Sequence, residues 1–263
     1  MNIFLHELRA NRKTTGIWIG SISAVIILYM SVFPIVTKDP ATFEKMLRSN
    51  PAFNSFIASI SNIGSILGFY SFVFSFILLL GAIQAMNLGA SILSKEIRDK
   101  TADFLLTKPV SRVKIMTSKL LASLVLLLAT NIACYAVALI MAFAVKTNDF
   151  DEKIFFLITA TLFLVQLIFC ALGVIISVII QKLRSVLPIS LGSVFAFFFI
   201  SMFISTDKDD LIRFISPFKY FDTGYIINHS SYEIQYLIAE AVFIILAVAA
   251  SYIIYSKKDI HAV

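Results

Sequence analysis

The sequence predicts an all-α protein that crosses a membrane six times. Apolar residues make up 59% of the chain and charged residues only 14%, about half the charged share of an ordinary soluble domain. Six apolar runs, uncharged except for one Glu in the last, each approach or exceed the ~20 residues that a helix needs to cross the hydrocarbon core of a bilayer. In water, such a chain would leave large apolar patches exposed, so the bilayer is the solvent that fits this composition.

The predicted spans lie in one polytopic domain that covers the whole chain, 1–263. In chain order they are residues 15–36, 68–93, 120–145, 154–180, 186–204 and 234–255. The first run exceeds the ~7–15 apolar residues of a signal peptide, so we expect it to stay in the membrane. Between the fourth and fifth spans the connection is very short, which predicts a tight helical hairpin. Pro188 falls in the first turns of the fifth helix, where its missing N–H costs little.

Three segments outside the spans have their own patterns. Residues 2–13 separate apolar from charged side chains and predict an interfacial N-terminal helix, with a solvated basic lead-in as the alternative. Residues 42–60 repeat apolar side chains at helical spacing around a break at 50–51, and predict two short helices on the outer surface. Residues 206–233 become rich in aromatics, which predicts an outer interfacial segment before the sixth span.

The distribution of basic residues predicts the orientation. With both termini in the cytoplasm, 14 of the 22 Lys and Arg residues fall on the inner side, as the positive-inside rule requires. The prediction is a multi-pass protein of the cell membrane, with residues 38–65 and 206–233 facing out. The net charge of +6 is explained by this asymmetry, so we expect contact with membrane lipids and no nucleic-acid partner.

The common enzymatic motifs are missing from the sequence. No Gly-Lys dipeptide occurs, so there is no phosphate-binding loop of the Gly-x-x-x-x-Gly-Lys type. Neither His-Glu-x-x-His nor Gly-x-Ser-x-Gly occurs, and two Cys and three scattered His residues form no metal-binding pattern. We therefore expect no catalytic residue, metal or cofactor in this chain. Glu240, about two turns into the sixth span, is expected to reach outward to the interface in a structural role.

The predicted cytosolic connection, residues 93–119, is longer than a hairpin between neighbouring spans needs. It contains a charged stem, the apolar triplet 104–106 and then Pro109, which ends a helix because the residue before proline is pushed out of the α region. Such an apolar tip predicts a docking surface for a partner protein. The alternative is a solvated loop that only fixes topology, although that role does not require three consecutive apolar residues.

This connection resembles the cytosolic loop of the ABC-2 class of ABC-transporter permeases. The matching residues are Glu96, Thr101, Leu105, Leu106, Pro109, Ser111, Arg112 and Lys119. The chain differs at Lys100, where the family often has Gly, and at Asp103, where it has Glu. The six-span layout and the segment 216–222 before the last span are similar to the family as well.

The resemblance implies that residues 101–109 form a coupling helix that docks in a groove of a separate ATPase subunit. The implied docking residues are Thr101, Asp103, Phe104, Leu105, Leu106, Pro109, Ser111 and Arg112, with Glu96 and Arg98 as charge partners. Two such ATPases would bind the ATP and Mg²⁺, and the permease would act as a dimer with a second copy or a close homologue.

The second and fifth spans face the dimer axis in that family, so a transport route is implied along them. Its predicted lining is Gln84, Asn87, Phe195, Phe198 and Met202. Internal hydrogen bonds for the amides, and lipid or core contacts for the aromatics, are the alternatives. Because these spans carry almost no charge, the expected cargo is hydrophobic or amphipathic: a peptide, toxin, antibiotic or lipid-like molecule.

Small residues at four-residue spacing predict close contacts of the first and second spans, either within one subunit or between two. They are Gly16, Gly20 and Ala24 in the first span, and Gly81, Ala85 and Gly89 in the second. The leading function is thus the permease subunit of an ABC exporter. An accessory membrane subunit of another complex and a polytopic membrane enzyme stay open as alternatives.

Overall fold

The structure is a computed structural model that describes residues 3–49, 62–98, 111–180, 185–203 and 210–257. Within these ranges it is helical, with no strand. The helices are α1 (Ile3–Met30), α2 (Phe33–Val36), α3 (Pro40–Arg48), α4 (Ile66–Arg98), α5 (Arg112–Val145), α6 (Glu152–Ile179), α7 (Leu187–Phe203), α8 (Asp210–Arg213), α9 (Thr223–His229) and α10 (Ile234–Lys257), with a 3₁₀ turn at Pro217–Lys219.

Helices lie at the positions of all six predicted spans. Five are long and apolar enough to cross a membrane, judged by length and composition: Ile3–Val36, Ile66–Ile92, Arg112–Val145, Glu152–Ile179 and Ile234–Ser256. The helix at the fifth predicted span, α7, has 17 residues and is therefore about 26 Å long, against a hydrocarbon core of ~30 Å. The described residues support five spans and a shorter apolar helix.

Two boundaries differ from the sequence prediction. The predicted interfacial helix is not separate from the first span, because residues 3–13 form the first turns of the continuous helix α1. No Gly or Pro interrupts this stretch, and Glu7 within it is buried. Helix α5 begins at Arg112, eight residues before the predicted span, because the Ser111 side chain caps it by accepting a hydrogen bond from the N–H of Lys114.

The core of the bundle is the contact between α4 and α6. Helix α1 packs mainly on α5, α10 on α6, and α7 on α4. At Gly89 an added Cβ would clash with the carbonyl of Cys170, and at Gly173 it would meet the backbone of α4. The small residues of the second span thus serve contacts within the subunit. Nothing in the described chain lies within 4 Å of a Cβ placed at Gly16 or Gly20 on α1.

The long helices run antiparallel and define two ends of the bundle. We name them the Lys119 end and the Lys219 end. At the Lys119 end, the start of α1, the end of α4, the start of α5 and the end of α10 meet through side-chain hydrogen bonds. The starts of α6 and α10 meet at the Lys219 end, where the Tyr232 hydroxyl donates to the carbonyl of Leu157. Segments predicted on one side of the membrane therefore share one end.

The connections at the Lys219 end fold onto the bundle. Helix α3 is the first of the two predicted short helices, capped by Asp39, while the predicted second one falls outside the described residues. Of the aromatic side chains predicted to lie among lipid headgroups, Tyr220 and Phe221 are instead buried against Tyr236 and Tyr232. The aromatic content of this segment therefore serves packing at these positions.

Candidate functional site

A buried ion pair joins three helices at the Lys119 end. The ammonium of Lys119 donates to Glu7 Oε1 at 3.0 Å and to the carbonyl of Ile92 at 2.7 Å. The Lys119 side chain is 1% exposed, and Asn11 donates to the other carboxylate oxygen of Glu7 at 3.3 Å. Because a buried charge is tolerated only when it is paired and hydrogen-bonded, these contacts hold α1, α4 and α5 together.

A second polar contact at this end joins α5 to α10. Arg112, one residue into α5, donates from Nη1 to the carbonyls of Tyr255 and Ser256 at 3.4 Å each. These carbonyls belong to the last turns of α10, whose C-terminus carries a partial negative charge that favours a cation. Four helices, α1, α4, α5 and α10, are thus connected at the Lys119 end.

Amide and hydroxyl side chains form a network at mid-depth in the bundle. Gln84 on α4 donates to the Thr130 hydroxyl of α5 at 2.8 Å. Gln166 on α6 donates to Gln84 Oε1 at 3.2 Å and accepts from Asn131 Nδ2 at 2.6 Å. Gln84 and Gln166 are buried. The network satisfies polar groups that would otherwise be unpaired in an apolar interior.

A cavity of about 60 Å³ opens at the Lys219 end between α4, α7 and the segment before α10. We name it the Lys219 cavity. It is lined by Phe74, Ser75, Leu78, Phe198, Ser201, Met202, Phe218, Lys219, Phe221, Asp222 and Thr223. Burial lowers the pKa of Lys219, Asp222 acts in the opposite direction, and Arg213 lowers it further. The lining is divided about equally between apolar side chains and polar ones, and the polar ones include one cation and one anion.

Arg213 fixes the segment that carries Lys219. Its guanidinium donates to both carboxylate oxygens of Glu233, at 2.7 and 3.3 Å, and to the carbonyl of Lys219, at 3.1 and 3.3 Å. It also lies over the ring of Tyr236, with Cζ 4.2 Å from the ring centroid. Arg213 is 3% exposed, and Glu233 neutralises its charge. These contacts fix the segment that carries Lys219 to the start of α10.

A family model described as ABC-2 family transporter protein matches residues 1–260. The chain belongs to the ABC-2 family. It is therefore a multi-pass membrane subunit of an ABC transporter, and it partners with an ABC ATPase subunit. A comparison with curated protein sequences gives no match.

The predicted docking residues of the permease fall mostly outside the described residues. These are Thr101, Asp103, Phe104, Leu105, Leu106 and Pro109. For Glu96 and Arg98 the structure describes the helical backbone of α4 and no side chain. Ser111 and Arg112 are described, and both have contacts within the permease, as a helix cap and as a link to α10. Their role toward the ATPase stays a prediction.

The predicted route residues separate into three groups. Phe198 and Met202 line the Lys219 cavity, whereas Phe195 is 37% exposed and stacks on Phe199 with ring centroids 6.0 Å apart. Gln84 lies in the polar network, with the internal hydrogen bonds that were the alternative prediction, and Asn87 is half-buried on the same helix. The structure therefore places two of the five residues at one cavity.

Glu240 departs from its predicted position. Its side chain is 3% exposed, and neither carboxyl oxygen has a hydrogen-bond partner among the described residues. The expectation that it reaches outward is wrong, because Tyr236, Glu240, Ala247 and Ser251 share the buried face of α10. The spacing of small and polar residues along α10 was the sequence signal for this face.

Sequence reasoning also missed the charged groups at the two ends. No ion pair was predicted for Glu7, Arg213 or Glu233. A basic residue with an acidic partner about twenty positions away has no periodic signal, since the pairing depends on how the chain folds back. Lys219 and Asp222 did lie in the segment similar to the family, which was the available signal for them.

Proposed function

We propose that the permease exports a hydrophobic or amphipathic cargo, using ATP hydrolysed by two separate ATPase subunits. It acts with a second permease copy or a close homologue, and both termini and residues 99–110 lie in the cytoplasm. The Lys119 end is then cytosolic and the Lys219 end faces out. ATP and Mg²⁺ belong to the ATPases in this proposal, and the permease supplies the route.

The observation that carries the proposal is the continuity of α4. This helix has 33 residues and is therefore about 50 Å long. Its last turns lead into residues 99–110, and its first turns carry Phe74 and Leu78 of the Lys219 cavity. An uninterrupted helix transmits a displacement at one end to the other, so docking at residues 101–109 can act on the cavity.

The contacts at the Lys119 end explain how the displacement would be shared. Helices α4 and α5 both lead into residues 99–110. Lys119 joins them to α1, and Arg112 joins α5 to α10. When an ATPase pulls on the coupling segment, these helices move together rather than slide past one another. The helix contact at Gly89 and Gly173 extends the same rigid unit to α6.

The mixed lining of the cavity supports an amphipathic cargo. Phe198, Phe218 and Leu78 provide aromatic and aliphatic surface, and Met202 adds a flexible side chain that adapts to different shapes. An apolar constriction resists water and ions yet opens to an amphipathic molecule. The cavity at the outer half of α4 and α7 is therefore our candidate for the outer part of the route.

The direct test is reconstitution of the permease with a candidate ATPase in lipid vesicles. We expect the two subunits to purify together, and ATP hydrolysis to increase when an amphipathic cargo is added. Hydrolysis by the ATPase that does not change with the permease, or with any amphipathic compound, would count against the proposal. A permease that converts a substrate without an ATPase would favour the enzyme alternative.

A further inference from the structure

The Lys219 cavity combines an apolar wall with a single charged group that lacks a partner. Lys219 is half-buried, and across the ranges that the structure describes its ammonium makes neither a hydrogen bond nor an ion pair within 4 Å. Leaving a partly desolvated ammonium without an acceptor costs free energy. Among the described residues, the Lys219 ammonium in the cavity therefore has no anion in direct contact.

The neighbouring Asp222 does not fill this need. One of its carboxylate oxygens accepts from the N–H of Gly224 at 3.4 Å and the other from the N–H of Tyr225 at 3.3 Å, as the cap of α9. Asp222 attracts Lys219 only at longer range. Each oxygen of the Asp222 carboxylate thus accepts one backbone hydrogen bond, whereas the Lys219 ammonium donates none to the described residues, so the ammonium has the greater need of a ligand.

Lys219 is held in place before any ligand binds. Its carbonyl accepts two hydrogen bonds from Arg213, whose own charge is neutralised by Glu233. The hydroxyl of Ser216 donates to the carbonyl of Phe197 at 3.0 Å and fixes the same segment to α7. These hydrogen bonds fix the backbone of Lys219, so a ligand has to order only the Lys219 side chain.

The size of the cavity limits what enters. Its volume of about 60 Å³ is several times the ~10–15 Å³ that one water molecule requires in a cavity. That space takes a small head group, while the rest of a ligand would lie along Phe198, Phe218 and Leu78.

We propose that the Lys219 cavity binds the anionic head group of an amphipathic molecule. A phosphate or carboxylate contacts the Lys219 ammonium, and an apolar body packs on the aromatic wall. This inference rests on the proposed function in one respect, namely that the cavity belongs to the route of the cargo. It adds the charge of the cargo, since the Lys219 ammonium has no hydrogen bond or ion pair among the described residues, whereas the Asp222 carboxylate already accepts two backbone hydrogen bonds.

The test is equilibrium binding of radiolabelled dodecyl phosphate to the permease in nanodiscs of neutral lipid, without ATPase or ATP. We expect Lys219→Gln to weaken binding at least about tenfold, as for loss of a charge-assisted hydrogen bond. Lys219→Arg should retain most of the affinity. The matched control is Lys153→Gln, an exposed lysine at the start of α6 and at the same end of the bundle, which should bind like the unmodified permease.

Two comparison ligands make the result specific. Dodecyl trimethylammonium should bind no better to the permease than to Lys219→Gln, and inorganic phosphate should compete only weakly. Equal loss in Lys219→Gln and Lys153→Gln, no loss in either, or equal binding of the cationic ligand would overturn the proposal. Inorganic phosphate that competes as well as dodecyl phosphate would overturn it too, because the aromatic wall would then contribute nothing.

Nanodiscs that contain phosphatidylglycerol separate two sources of the same head group. Competition by this lipid means that a membrane lipid occupies the cavity, and no competition means that the cavity is kept for cargo; both outcomes support an anionic amphipathic ligand. The result is independent of the proposed function, because no ATPase is present. If the ATPase fails to purify with the permease while the Lys219→Gln effect persists, the transport proposal fails and this site stands.

Discussion

Lys119 and Glu240 are both buried inside the bundle, but they differ in their hydrogen-bond partners. Lys119 is enclosed at the Lys119 end and has both an acidic partner and a backbone acceptor. Glu240 is equally enclosed on α10, with no hydrogen-bond partner in the described part of the chain. Only the first arrangement offsets the cost of removing a charge from water, so the two residues differ in what their substitution should do.

We expect Lys119→Met to destabilise the permease by about 3–5 kcal/mol, because it leaves the buried carboxylate of Glu7 without its partner. The double variant Glu7→Gln with Lys119→Met should recover much of the loss, since no charge then stays unpaired. Thermal unfolding in detergent measures both. Lys114→Met, which removes an exposed lysine from the same end of α5, is the control. Equal effects of Lys114→Met and Lys119→Met would contradict this assignment.

Which polar side chains contact one another was harder to predict from the sequence than which of them lie inside the bundle. Gln84 was expected either in internal hydrogen bonds or along a route, and the structure shows it hydrogen-bonded to Thr130 and Gln166, with Asn131 also bonded to Gln166. The sequence contains the donors and acceptors but not their distances. Which of them meet depends on how three helices are rotated about their axes, and helix rotation is set by packing.

At the scale of elements, the interface of α4 and α6 depends on backbone contact. We expect Gly89→Ala to destabilise the permease by about 1–3 kcal/mol, because its Cβ would collide with the carbonyl of Cys170 and a carbonyl cannot rotate away. Gly20→Ala is the matched control, since a Cβ there meets nothing within 4 Å. Thermal unfolding of the two variants measures this difference. If Gly20→Ala lowers the stability and Gly89→Ala does not, the close backbone contact between α4 and α6 is contradicted.

Neighbouring phenylalanines on α7 have different surroundings. Phe198 lines the Lys219 cavity, while Phe197 packs on Phe169 of α6 with ring centroids 5.9 Å apart. We expect Phe198→Ala to raise ATP hydrolysis in the absence of cargo, because it opens an apolar constriction. Phe197→Ala should mainly lower thermal stability, by about 3–5 kcal/mol if its site does not collapse. Basal ATPase activity that responds equally to both changes would place the gate outside α7.

Helix positions could be predicted from the sequence where neighbouring residues determine them. The apolar runs located all the long helices, and Pro188 does lie in the first turn of α7. The joining of residues 3–13 to the first span was missed, because charge alone does not end a helix. The folded segment before α10 was missed as well, since its aromatics follow no fixed period and pack through contacts distant in sequence.

For the whole molecule, the antiparallel layout agrees with the predicted pattern of inner and outer segments. The helix ends that flank the segments with most of the Lys and Arg residues lie at the Lys119 end, and the positive-inside rule then predicts that this end is cytosolic. The match of the family model to residues 1–260 extends the resemblance from one connection to almost the entire chain. The cargo and the second permease subunit are not encoded in such patterns, because they depend on surfaces that many sequences can provide.

Single-cysteine labelling of intact cells tests this orientation. We expect a membrane-impermeant maleimide to modify Lys45→Cys, which lies exposed on α3, and to leave Lys108→Cys unmodified until the cells are opened. The native residues Cys134 and Cys170 are buried and should contribute little background. Labelling of position 108 but not of position 45 in intact cells would reverse the two ends.

The central claim is that residues 101–109 dock an ATPase subunit, and the most direct measurement is the molar ratio of ATPase to permease after co-purification. Replacing Leu105 and Leu106 together by Asp places two charges in an interface that excludes water, at a cost of about 2 kcal/mol or more. The control, Met46→Asp, adds a charge at a residue that is 60% exposed at the Lys219 end. We expect the double variant to insert normally and lose its ATPase, while Met46→Asp keeps the ratio of the unmodified complex. An unchanged ratio in the double variant would contradict docking at this segment.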